Sequence, residues 1–197
     1  MFMRKEKPIS LILCILALSF FLSYHVYNRC IDELNNKKVD KIMEKEIKEN
    51  NSQKIVEKIN SKDEKDYLGI ISIPKINLKK VFYNINDPKN NVDMNVMVLK
   101  NSVMPNINGG VLYLAAHSGN SYLGYFKNID KLNINDKIKI YYNNNDYEYI
   151  VNNKYELDKN GKISINKNIH ETYLVLTTCS KNKNKQLVIT AKLIVDK

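Results

Sequence analysis

The segment TYLVLTTCSKNKNKQLVITAKL, residues 172–193, decides the fold. It reads as two apolar strands, of which the first ends in Cys179 and the second begins at Gln186. The loop between them, SKNKNK, is polar and rich in lysine, so we expect it to be exposed and electropositive. Positive charge stabilises a thiolate, and a cysteine at a strand end beside such a loop is therefore a candidate nucleophile.

A histidine follows a second apolar strand. The segment GGVLYLAAH predicts a buried strand over 111–116, with His117 directly after it. If this strand and the cysteine strand are parallel neighbours, their C-terminal ends bring His117 and Cys179 together. A catalytic cysteine needs such a partner. Of the other histidines, His25 lies in an apolar N-terminal run, and His170 precedes Cys179 on one extended strand, roughly 30 Å away.

From Tyr67 onward the sequence predicts many strands and little helix. YLGIISIPKINLKKVFY indicates two strands with a break at Pro74, and DKIKIYYNNNDYEYIV indicates a hairpin that turns at Asn143–Asn145. A further turn signal stands at Asn160-Gly161, and SYLGYFKNIDKL has the spacing of a short helix or helical turn. Seven or eight strands with so little helix predict an all-β fold, a closed or nearly closed barrel.

Two motifs together resemble the sortases, the membrane-anchored cysteine transpeptidases of Gram-positive bacteria. They are LAAHSG with YFKNIDKL, and LVLTTCSKNKNKQLVITAKL, and the resemblance covers about residues 66–195. It implies an eight-stranded β-barrel with one or two short helices. We expect no cofactor and find no candidate metal ligands, and the sequence does not decide on calcium. His117 would be the general acid/base and Cys179 the nucleophile. The neighbouring residues implied to bind substrate are Ala116, Ser118, Thr177 and Thr178.

The resemblance also implies a reaction and its partners. The substrates would be exported proteins that carry a C-terminal sorting signal, cleaved through a thioester acyl-enzyme. The accepting amine would come from a peptidoglycan precursor or a pilin lysine. We expect the segment Asp158–Glu171 to form a wall of the substrate groove, and we expect no nucleic-acid partner because no aromatic-rich basic motif is present.

The sequence departs from the family at Gln186. The last strand of a sortase usually reads R-L-V-x-x-A-K, and counting back five positions from Ala191 reaches Gln186 instead of arginine. The chain's two arginines, Arg4 and Arg29, both flank the apolar N-terminal run. The Gln186 amide could donate to a substrate oxyanion without the charge, which makes Gln186 a third candidate catalytic residue. Lys181, Lys183 and Lys185 are the alternative sources of positive charge.

Two alternatives to a working transpeptidase remain. The first is a catalytically weakened sortase-like surface scaffold that binds sorting signals, which the missing arginine favours. The second is a papain-like or NlpC-like wall hydrolase. In those folds the cysteine opens a helix and precedes its histidine, whereas here the cysteine closes a strand and follows the histidine, so this class is disfavoured.

The N-terminal region predicts a membrane anchor. Residues 9–27 contain no Asp, Glu, Lys or Arg and would span roughly 28 Å as a helix, close to the thickness of a bilayer core. Arg4, Lys5 and Lys7 precede this run, so we expect a single pass through the plasma membrane with the N-terminus in the cytoplasm and the catalytic domain outside. A cleaved signal peptide is the rival, with its best cleavage site near Ser19 inside the apolar run.

These signals divide the chain into four parts. Residues 1–8 form a cytoplasmic tail, 9–27 the membrane span, 28–65 a charged and partly helical stalk, and 66–197 the catalytic barrel. A fully helical stalk would reach roughly 55 Å and carry the domain away from the bilayer. The formal net charge of +10 fits anionic surroundings such as a membrane surface or wall polymer, and also a plain solvated lysine surface.

Overall fold

The computed structural model describes residues 8–53, 67–119, 123–165 and 170–194. Its eight strands are β1 to β8 in chain order: Gly69–Ile73, Leu78–Phe82, Met97–Val98, Val111–Ala115, Lys137–Tyr142, Asn145–Asp158, Tyr173–Cys179 and Lys185–Leu193. One long helix, α1, spans Pro8–Gln53, and two short 3₁₀ helices span Pro74–Ile76 and Ile129–Lys131.

The eight strands form one barrel-shaped sheet in the order β2-β1-β5-β6-β8-β7-β4-β3. An isolated bridge between Phe82 and Val96 brings the two edge strands together, so the barrel is nearly closed. The predicted all-β barrel is thereby confirmed. The break after β1 falls at Pro74, where the sequence places it, because proline cannot donate to the ladder.

The hairpin between β5 and β6 turns on two asparagines. Asn143 and Asn144 have φ angles of 50° and 62°, a left-handed pair that asparagine tolerates better than most residues. The predicted hairpin is therefore confirmed, but its second strand is longer than the sequence pattern indicates. A bulge between Val151 and Asn153 lets β6 continue along β8 as far as Asp158.

The barrel interior is filled by alternate residues of the strands. Leu112, Leu114 and Ala116 from β4 and the segment after it belong to this main core. Three side chains of the helical turn that the sequence predicts are buried in the same core, namely Phe126, Ile129 and Leu132. A smaller apolar cluster covers the outer face of the sheet where β4, β7 and β8 are paired. Its buried members are Val111, Tyr173, Val175 and Val188.

The first part of α1 carries large apolar side chains that no other part of the described structure covers. Leu13, Phe20, Phe21 and Val26 are among the large apolar residues that are exposed. By length and composition this helix could cross a membrane, although signal sequences pass the same test.

Beyond this apolar part, α1 packs on the barrel. The Asp32 carboxylate accepts from Lys127 at 2.8 Å, and the Asn36 side-chain amide donates to the carbonyl of Asn77 at 3.0 Å. One turn further on, Val39 is buried. The expected stalk is thus continuous with the apolar helix, and its first turns are a docking surface for the barrel instead of a free spacer. Residues 54–66 of the expected stalk lie outside the described residues.

Lys80 lies in the contact between α1 and the barrel. Its ammonium group is 4.9 Å from the centre of the Tyr125 ring. Burial lowers the pKa of Lys80 from 10.5 to about 8; Asp32 opposes this shift and Lys127 adds to it. The buried ammonium group therefore lowers the free energy of unfolding at neutral pH. This destabilisation disappears as the pH rises from about 8 towards 10.5.

We predict that Lys80→Met raises the melting temperature of the full chain in detergent micelles by a few degrees at pH 7. The methionine side chain carries no charge and fills a volume similar to that of lysine, so the packing is kept and the buried charge is removed. The gain should shrink as the pH is raised above 8, because the parental lysine then loses its proton in the folded state. A variant that melts at or below the parental temperature at pH 7 would show that the ammonium group stabilises the contact.

Candidate active site

The predicted neighbours β4 and β7 are paired in parallel. Their register joins Ala115 to Thr177 as the last pair. The backbone N–H of Ala116 donates to the Thr177 carbonyl at 3.4 Å, which extends the contact past the end of β4. The same register continued by two residues sets His117 opposite Cys179. The expectation that these strands are parallel neighbours is confirmed, and the contact of His117 with Cys179 stays a prediction.

His117 and Cys179 fall on the outer face of the barrel. In β4 and β7 the positions 111, 173 and 175 belong to the outer apolar cluster, and alternation continues this series to 117 and 179. Cys179 is the first exposed residue of β7 after six buried ones, so the strand delivers its thiol to solvent at the point where burial ends. The cysteine closes a strand, which agrees with the sequence-based case against a papain-like fold.

The hydroxyl groups beside the site hold the strand ends together. Thr178 donates to the Ala116 carbonyl at 2.6 Å and so ties β7 to the end of β4. Thr177 donates to Oε1 of Gln186 at 3.0 Å and ties β7 to β8. The side chain of Ala116 is buried in the main core, so only its backbone can face a ligand. For Ala116, Thr177 and Thr178 the structure thus shows a bracing role, and their predicted contact with substrate stays a prediction.

Gln186 pairs across the β7–β8 ladder with Cys179, the candidate nucleophile. Its amide group is turned to the connection that follows β6. Nε2 donates to the carbonyl oxygens of Gly161 at 3.0 Å, Asp158 at 3.2 Å and Lys159 at 3.3 Å. The two Nε2 hydrogens are therefore shared among three carbonyl oxygens of the turn, while the Gln186 side-chain oxygen accepts from Thr177. Gln186 braces a wall of the site in this structure.

The wall itself is partly the segment expected from the sequence. After the turn at 159–160, Ile163 and Ile165 pack against the outer apolar cluster beside β7. This packing lays the connection across the outer face that carries His117 and Cys179. Residues 166–169 of the expected wall, Asp158–Glu171, lie outside the described residues.

The loop after Cys179 is tied down by ion pairs and hydrogen bonds. Lys181 pairs with Asp130 and holds the pKa of that carboxyl below its usual range. Glu156 accepts from the Ser180 hydroxyl and, at 2.6 Å, from the Asn182 amide, and these bonds lower its pKa. The loop is exposed as expected, but the charge of Lys181 is neutralised by a partner.

A cavity of about 540 Å³ opens beside Cys179. Ser118 and Thr178 line it together with the thiol, and Phe126, Tyr155 and Leu187 are also among its lining residues. The cavity can hold a peptide side chain or an incoming acceptor group next to the sulfur. Among the described residues, no group of three or more His, Cys, Asp or Glu side chains is arranged to hold a metal ion.

One contact at the site has no counterpart in the sequence-based expectations. Nε2 of His117 lies 2.8 Å from Oδ1 of Asp93, which belongs to the connection between β2 and β3. Asp93 stands in a stretch of asparagines and turns without periodic pattern, 24 positions before the histidine. Nothing in that stretch singles out one carboxylate as the partner of a distant strand end.

Residues 71–194 match the family model described as Sortase domain. The chain therefore belongs to the sortase family. No curated protein matches the sequence.

Solved sortases of three classes share the fold. Sortase A from Corynebacterium diphtheriae, a lid mutant, superposes with a TM-score of 0.61 at 19% identity, covering 69% of this chain and 74% of that one. Streptococcus pneumoniae sortase C gives 0.60 at 18%, with 67% and 70% covered. The Clostridium perfringens sortase D5 transpeptidase gives 0.58 at 24%, with 84% and 99% covered.

We predict that Gly161→Ala destabilises the wall of the site. A Cβ at Gly161 would overlap a methyl group of Leu157 and lie 2.8 Å from the carbonyl oxygen of Asp158, so the turn must shift. We expect a loss of about 1–3 kcal/mol, typical of overpacking, and faster amide exchange in 158–165, because Gln186 loses its acceptor. Gly119→Ala is the matched control, since a Cβ there meets no atom within 4 Å. Equal melting temperatures and exchange rates in the two variants would contradict the bracing role.

Proposed function

We propose that this protein is a cysteine transpeptidase that cleaves a C-terminal sorting signal of exported proteins and joins the shortened protein to an amine. The single observation that carries the proposal is the parallel pairing of β4 with β7, which sets His117 opposite Cys179 at an exposed edge. Membership of the sortase family supplies the reaction class.

In the proposed first step, the Cys179 thiolate attacks a peptide carbonyl carbon of the sorting signal. The carbon–sulfur bond forms, and the carbonyl oxygen becomes an oxyanion. As the oxyanion collapses, the carbon–nitrogen bond breaks and His117 gives its proton to the departing amine. A thioester acyl-enzyme and a released C-terminal peptide result.

In the second step an amine attacks the thioester. His117 takes the proton of the incoming amine, a new amide bond forms, and Cys179 leaves as the thiolate. The acceptor is an amine of a peptidoglycan precursor or a pilin lysine. The similar sortase C from Streptococcus pneumoniae is described with pilin substrates, which keeps a pilin lysine among the acceptors.

The oxyanion of the first step requires a hydrogen-bond donor. Gln186 occupies the family's arginine position, and we propose its amide as the donor. For this, one Nε2 hydrogen must leave the turn carbonyls that it contacts in this structure. The engagement of the amide favours the second candidate function, a catalytically weakened scaffold that keeps the fold and binds sorting signals.

The test of the proposed function is covalent trapping of the acyl-enzyme. The full chain in detergent micelles is incubated with a panel of sorting peptides, and intact mass and peptide mapping are recorded. We expect an acyl adduct on Cys179 and none in Cys179→Ala, because only the thiolate can form the thioester. A chain that binds the peptides without acylation would contradict the transpeptidase and support the scaffold.

Variants of Gln186 separate an oxyanion donor from a brace. If the Gln186 amide donates to the oxyanion, Gln186→Ala should lower the acylation rate by a factor of about 10²–10³ and change peptide binding little. Gln186→Arg should keep or raise the rate. Gly161→Ala loosens the same turn and retains the amide. Equal losses in Gln186→Ala and Gly161→Ala would show that the glutamine acts only through the turn.

We also propose that α1 anchors the protein in the plasma membrane, with the N-terminus inside and the barrel outside. The apolar, exposed first part of α1 supports this location. The positive charges before the apolar run favour this orientation.

Protease added to intact protoplasts should remove the barrel and leave the N-terminal segment protected, because only the segment after Arg29 would be outside. Immunoblotting against tags at the two termini measures this directly. Recovery of a soluble, secreted barrel that lacks residues 1–19 would identify the apolar run as a cleaved signal and contradict the anchor.

A further inference from the structure

The imidazole of His117 is held by a carboxylate from another part of the chain. Its Nε2 lies 2.8 Å from Oδ1 of Asp93, and both side chains are partly open to solvent, 42% and 74% exposed. A contact between groups this exposed contributes little to stability, even when the imidazole is charged. We therefore expect the contact between Asp93 and His117 to act on the orientation of the ring and on which ring nitrogen carries the proton.

The segment that carries Asp93 is a preformed turn. The side chain of Asn91 accepts from the backbone N–H of Asp93 at 2.9 Å, and the carbonyl of Asn91 accepts from the N–H of Asn95 at 2.8 Å. Directly after this turn Val96 is buried, and β3 pairs with β4 so that Met97 faces Ala115. Continuing that antiparallel register sets residues 95 and 117 side by side. The fold thus brings the turn to His117 through the sheet itself.

The other side of His117 is also fixed. Its carbonyl accepts from the N–H of Phe126 at 2.9 Å, and Phe126 is buried in the main core. The neighbouring Tyr125 hydroxyl donates to the carbonyl of Met94 at 3.2 Å and joins the two connections. The backbone at His117 and the turn at Asp93 are therefore held in one small network, which keeps carboxylate and ring within reach of each other.

An ionised carboxylate can only accept hydrogen bonds, so its partner nitrogen must carry the proton. Nε2 of His117 is then the protonated nitrogen of the neutral ring, and Nδ1 is left with a lone pair. We propose that Asp93 is a positioning residue of this sortase: it holds the His117 ring in the Nε2–H tautomer and reserves Nδ1 for the proton exchanged with the Cys179 thiol and the departing amine. This role rests on the proposed function of His117 as general acid/base.

The experiment combines a spectroscopic and a kinetic readout on the full chain in micelles. With ¹⁵N-labelled histidine, we expect the neutral His117 ring to show a protonated Nε2 in the parental protein, and a mixture of tautomers in Asp93→Ala. In acylation of a sorting peptide, Asp93→Ala should lower kcat about 10–100-fold with KM nearly unchanged, because misplacing a proton-transfer group by a small distance costs rate more than binding. Asp93→Glu, which restores a carboxylate, should recover part of kcat.

Asp87→Asn is the matched control. Asp87 lies on the same connection and accepts from the N–H of Lys89 at 2.7 Å, a bond that asparagine keeps. It should leave both readouts unchanged. Unchanged tautomer populations in Asp93→Ala would overturn the inference whether or not the protein acylates. A shifted tautomer with parental kcat would also overturn it, whereas a parental chain that never acylates would count against the proposed function and leave the tautomer result to decide on Asp93.

Discussion

The parallel pairing of β4 with β7 is the constraint on which the site depends. Parallel strands deliver their C-terminal residues to one edge, so two short apolar runs far apart in sequence end at the same edge of the sheet, where His117 and Cys179 follow. The strands are buried up to this edge and the thiol is exposed at it. Strand β8 lies between β6 and β7, and its register with β7 sets Gln186 beside the thiol.

Neutral hydrogen bonds connect the site to its wall. Thr178 binds the end of β4, Thr177 binds Gln186, and Gln186 binds the turn after β6. An arginine at position 186 would bring a charge and five donors to the place where an amide now offers two. Glutamine at this position therefore gives a braced wall instead of a positive charge beside the thiol, and its proposed role as a donor requires the amide to leave the turn.

The sequence predicts the barrel and the strand-end pair because both depend on local apolar patterns. Cys179 and His117 each follow a run whose periodicity and length indicate a buried strand. The sequence does not predict the docking of α1 on the barrel or the contact between Asp93 and His117. Asp32 meets Lys127 across 95 positions, and Asp93 reaches His117 through a turn without periodic pattern. Such contacts are set by the packed fold, since no local preference selects one carboxylate among many.

The most direct test of the account is a disulfide between positions 117 and 179. Paired residues on neighbouring strands have Cα atoms about 5 Å apart, within the range that a disulfide spans. In a chain with Cys14→Ser and Cys30→Ser, His117→Cys should oxidise to an intramolecular bond with Cys179 under mild conditions, seen by peptide mass mapping. Asp146→Cys, exposed near the start of β6 and at the opposite end of that strand from Asp158, which pairs with Lys185, should not cross-link with Cys179. Absence of the 117–179 bond, or equal rates for the two variants, would contradict the register that places the histidine beside the thiol.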